Sequence, residues 1–70
     1  MFLQGEIVKS IKRTDACPLF LMVLFDPSPN NEQFNAVVLD DATDEHEVGS
    51  VSNAWNYQSF VLSNWDEFKR

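Results

Sequence analysis

His46 is the one histidine of this chain, and it lies among Asp41, Asp44, Glu45 and Glu47. Imidazole and carboxylate groups are good ligands for divalent metals, so this run is the first place to look for metal chemistry. The spacing argues against it. The run lacks the alternation of a calcium-binding loop and the glycine that such a loop needs at its sharp turn. An acidic, solvated turn is the expectation, with no metal. Cys17 and His46 are the next pair to weigh, as nucleophile and base. Cys17 precedes Pro18 and an apolar run, where a lone cysteine acts as a small buried apolar group. No residue pattern supplies a group to orient the histidine. A chain of 70 residues also leaves little room for a substrate cavity of ~300 Å³ or more. No catalytic residue and no cofactor are expected, and the chain reads as a non-enzyme.

Aromatic residues beside acids are a different chemistry, that of a protein interface. Tryptophan and tyrosine are the side chains that most often anchor such surfaces. Trp55 and Tyr57, with Asp41, Asp44, Glu45 and Glu47, are the expected partner-binding residues. Trp65 is expected to close one end of the core instead.

Charge narrows the class of partner. The net charge is −6. Lys9, Lys12 and Arg13 cluster early and Lys69 and Arg70 end the sequence, while residues 14–68 contain neither lysine nor arginine. That interval holds every acid except Glu6. Such a surface repels phosphate backbones, which excludes direct nucleic-acid binding through a broad basic face. It attracts a protein with a basic surface.

The elements that must position these residues are organised around residues 19–25, seven consecutive apolar side chains between Pro18 and Asp26-Pro27. The run is short for a helix and long enough for a strand. Leu19, Leu21, Val23 and Phe25 fall on one face and Phe20, Met22 and Leu24 on the other, so both faces need cover and the strand is expected to be central. A membrane span, which needs ~20 apolar residues, is excluded. Residues 5–12 read as a first strand of edge character. Residues 26–33, with Pro27 and Pro29, read as a loop. Residues 33–40 read as a third strand, with Phe34, Ala36 and Val38 on one face. Residues 40–47 form the acidic turn, and residues 47–51 are expected as a short fourth strand with a bulge or close approach at Gly49. Residues 52–59 are expected as a turn with a 3₁₀ segment capped by Ser52, Asn53 or Asn56. Residues 59–62 follow as a last strand. Ser63 and Asp66 have capping-box spacing for one helical turn through Phe68.

Four or five short strands and a 3₁₀ turn before the last point to one all-β domain spanning residues 1–70, a small barrel. A chain of this length buries only about 60% of its unfolded surface, so its six phenylalanines and two tryptophans matter to the core. Residues Leu3-Gln4-Gly5-Glu6-Ile7-Val8, and Val48-Gly49-Ser50-Val51 followed by Trp55 and Phe60, resemble the small SH3-like barrel proteins of phages and prophages. Gln4 stands where valine is more usual, and the acidic turn lies outside the pattern. The resemblance implies an SH3-like barrel and a phage accessory role, with no catalytic residue.

The leading expectation is thus a non-enzymatic protein-binding module that modulates a host or phage protein. One alternative is an acidic mimic of nucleic acid that inhibits a DNA- or RNA-handling enzyme, which requires Asp26, Glu32, Asp66 and Glu67 to share a face with the turn. Another is a structural subunit or homodimer joined through an open sheet edge. The single cysteine permits no internal disulfide, and residues 1–6 lack the basic and apolar regions of a secretory signal, so a cytoplasmic location is expected.

Overall fold

The computed structural model describes residues 2–11, 18–27, 31–43 and 45–68. Within them the chain forms β1 (Ile7–Ser10), β2 (Leu19–Val23), β3 (Gln33–Asp41), β4 (Val51–Asn56), a 3₁₀ turn (Tyr57–Ser59), β5 (Phe60–Leu62) and α1 (Trp65–Phe68). The five strands make one antiparallel sheet in the order β4-β3-β2-β1-β5. The apolar run is therefore the middle strand, as its two apolar faces require.

The sheet has two unlike faces. Cross-strand partners share a face, and the row Val8, Leu21, Val38 is continuous across β1, β2 and β3. All three side chains are fully buried, with Leu19, Val23, Phe34, Ala36 and Phe60 around them. The opposite face carries the row Ile7, Met22, Val37, Val51. Cover falls away along it, from 3% exposed at Ile7 to 60% at Val51. α1 supplies the cover at the near side, since Phe68 packs edge-on against the buried Phe20 ring at 5.5 Å.

Capping explains why so short a helix forms. Asn64 Oδ1 accepts a hydrogen bond from the Glu67 amide at 2.8 Å. Ser63, the expected cap, instead donates its hydroxyl to Glu67 Oε1 at 3.1 Å, and that same oxygen lies 2.6 Å from Lys9 Nζ. Helix and first strand are thereby tied together.

Several expectations need correction. β1 is interior to the sheet, because β5 pairs along its far side. Its polar positions Lys9 and Ser10 are half-buried. The fourth strand is Val51–Asn56, later than expected. Residues 48–49 form a turn in which Gly49 takes φ +89°, a conformation that favours glycine. A Cβ at Gly49 would meet nothing within 4 Å, so the backbone angle and not a close approach accounts for it. The polarity of residues 51–56 reflects an edge strand with both faces partly in water, not a loop. Phe25 lies beyond the end of β2 and is 66% exposed, and Trp65 is half exposed instead of closing the core. The sheet does not close into a barrel. β4 and β5 are its two edges, joined by the 3₁₀ turn, with no ladder between them among the described residues. Asn56 is the residue before that turn, but its side chain makes no capping bond.

Candidate interaction surface

The acidic turn is organised by one inward carboxylate. Asp41 ends β3 with its side chain buried. Its Oδ1 accepts from the Thr43 amide at 2.9 Å and from the Thr43 hydroxyl at 2.8 Å. Its Oδ2 accepts from the His46 amide at 3.0 Å and lies 2.8 Å from His46 Nδ1. A carboxylate accepts only, so the imidazole donates through Nδ1. Charge-assisted bonds of this kind are about twice as strong as neutral ones. Four donors from the next five residues thus wrap the loop around Asp41.

His46 carries the loop onto an aromatic chain. Its ring lies 5.2 Å from Trp55, and Trp55 packs edge-on against Phe60 at 5.8 Å. Phe60 meets Phe34 at 5.6 Å, Phe34 meets Tyr57 at 5.0 Å, and Phe2 closes on both Phe34 and Tyr57. Such centroid distances and tilts are the favourable range for aromatic pairs. Trp55 and Tyr57 are therefore half-buried against the core, with limited surface to offer. Trp55 Nε1 is buried without a hydrogen-bond partner among the described residues.

The expected binding residues separate accordingly. Glu45 and Glu47 are exposed. Asp41, expected on the contact surface, is 3% exposed and shapes the loop from within. Trp55 and Tyr57 support the loop and the 3₁₀ turn from behind. Asp44 and Cys17 lie outside the described residues. The spacing Asp41-Ala42-Thr43 was a usable signal for the inward carboxylate, since aspartate often bonds the backbone two residues on.

Among the described residues no group of three or more histidine, cysteine or acidic side chains is placed to hold a metal ion. No helix there is long and apolar enough to cross a membrane. Comparison of the chain with protein-family models, curated proteins and solved structures finds no match.

Proposed function

We propose that this chain is a non-enzymatic protein-binding module that presents residues 42–50 to a protein with a basic surface. The observation that carries this reading is the buried Asp41 carboxylate, bonded to two amides, a hydroxyl and an imidazole, with Glu45 and Glu47 outside it. A loop held in one shape loses little conformational entropy on binding, which favours affinity. Its exposed acids steer a basic partner toward it. The strand order, with a 3₁₀ turn between β4 and β5, supports reading the sheet as an open SH3-like arrangement; a phage accessory role in the host cytoplasm is proposed on the sequence resemblance alone.

The nucleic-acid mimic fits less well. One of its carboxylates, Asp41, is turned inward, and another, Glu67, is engaged by Lys9. The test is capture from bacterial lysate on the immobilised chain at low and high salt, beside a Glu45→Lys/Glu47→Lys variant. A protein that does not handle nucleic acid, retained by the native chain and lost with the variant, supports the module. A nucleic-acid enzyme released only at high salt supports the mimic. Equal capture by both chains contradicts both readings.

A further inference from the structure

The outer face of the sheet is apolar along two cross-strand rows. Val61, Lys9 and Phe20 form one, and Ile7, Met22, Val37 and Val51 the other. The first row continues to Asp40 near the end of β3. Inside that rim Lys9 is the one charged residue of the two rows, and Glu67 Oε1 lies 2.6 Å from its Nζ. α1 roofs the side nearer β1. The Ser63 amide donates to the Ile7 carbonyl at 2.7 Å, which starts the helix there, and Phe68 then packs on Phe20. Ile7 and Phe20 are accordingly buried. Over β3 and β4 the same face is less covered, with Met22 and Val37 half-buried and Val51 exposed. On α1 itself the Trp65 ring, 5.7 Å from Phe68, is half exposed.

A face roofed on one half and exposed on the other can complement itself. A second copy, turned about a twofold axis parallel to the strands and near β3, sets its α1 over β3 and β4 of the first. It receives the first copy's α1 in return, as an isologous contact requires. Trp65 of each copy then meets Val37 and Val51 of the other. The size of the face agrees with this. Five strands ~4.8 Å apart span ~19 Å, and the nine residues of β3 run ~30 Å. That is about 600 Å², the lower limit per partner for a standard interface, so the contact is a weak one.

Charge selects the occupant. β1, β2, β4 and β5 contain no acid, and the acids of β3 are its last two residues, Asp40 and Asp41. The acids of this chain, whose net charge is −6, therefore ring the sheet and leave its face neutral. Two chains of equal negative charge approach closely only where acids are missing. A basic partner finds no charge to pair with there, and is drawn to the acidic loop instead. We infer that this chain forms a weak twofold dimer through the outer face of its sheet, with α1 of each copy filling the exposed half of the other. This goes beyond the reading of the chain as a protein-binding module, and uses none of residues 42–50.

The experiment is sedimentation velocity of the full chain from about 5 μM to about 500 μM, at low and high salt. A monomer–dimer equilibrium should appear, with a Kd of about 10–100 μM. It should tighten several-fold at high salt, because screening relieves the repulsion between two acidic chains. Binding of a basic partner to the loop has the opposite salt dependence. In a mixture of ¹³C-labelled and unlabelled chain, filtered NOE spectra should join the Trp65 ring of one copy to the Val37 and Val51 methyls of the other. Val51→Glu puts a charge into the contact and should weaken the dimer about tenfold or more. Trp65→Ser should weaken it from the helix side. Both residues are at least half exposed, so both variants should fold, which circular dichroism checks. A chain still monomeric at about 500 μM in high salt would overturn the inference. So would a dimer that both variants leave intact, or NOE contacts that join strand edges and not these faces. None of these outcomes bears on capture through Glu45 and Glu47, which the lysate experiment tests independently.

Discussion

Asp41 Oδ2 and His46 Nδ1 lie 2.8 Å apart across the acidic loop, and the same oxygen takes the His46 amide at 3.0 Å. One buried side chain therefore fixes both the backbone and the ring of a residue five positions on. The ring in turn rests on Trp55, at 5.2 Å. The loop is thus continuous with the core and not appended to it.

Removing that carboxylate should leave several donors without their acceptor. Asp41→Ala is expected to lower the unfolding free energy by about 2–3 kcal/mol, and Asp41→Asn by about 1–2, since the amide keeps one acceptor oxygen. Urea denaturation followed by tryptophan fluorescence reads both. An Asp41→Ala chain as stable as the native one would show that the loop is held by something else.

The core prediction follows from burial. A domain of 70 residues has a total stability of about 4–10 kcal/mol. Leu21 is wholly buried, and Leu21→Ala should cost about 3–5 kcal/mol, enough to leave a large unfolded fraction. Phe20→Asp should be worse than Met22→Asp, because Phe20 is buried under Phe68 while Met22 is half-buried. Circular dichroism separates the two, and equal unfolding by both would argue that the outer face is covered more fully than the half-burial of Met22 indicates.

For α1, packing should outweigh charge. The Lys9–Glu67 pair is partly exposed, with both side chains about one-third accessible at 32% and 37%. Exposed pairs contribute at most about 1 kcal/mol, less in salt. Phe68→Ala uncovers Phe20 and should cost about 2–3 kcal/mol. Trp65 fluorescence should report release of the helix with Phe68→Ala and little change with Lys9→Ala. The reverse ranking would make the helix an electrostatic attachment.

On the surface, charge reversal should change binding without changing the fold. Glu45 and Glu47 are exposed, so Glu45→Lys/Glu47→Lys should keep its stability within about 0.5–1 kcal/mol of the native chain. Trp55→Ala is a poorer probe, because Trp55 packs on Phe60 and the core. Its loss of binding would be mixed with loss of structure.

Alternation and length made the middle strand legible. Leu19, Leu21 and Val23, with Phe34, Ala36 and Val38, fall on one buried face as their spacing requires. β4 was not legible, because an edge strand in water carries the polar residues of a loop, and Val51–Asn56 reads as one. The fate of Trp65 was hidden for a related reason. A four-residue helix covers only part of a sheet face, and sequence does not say which of Trp65 and Phe68 turns inward. For the acidic run, composition showed the charge but not its direction. Asp41 faces in and Glu45 and Glu47 face out, a division that depends on where β3 ends.

The measurement that tests the central claim most directly is a calorimetric titration of the protein captured from lysate, using the native chain and Glu45→Lys/Glu47→Lys at low and high salt. The account predicts an affinity about tenfold or more weaker for the reversed chain, with most of the salt dependence lost. Equal affinities with equal salt dependence would contradict it, and would remove the acidic loop from the binding surface.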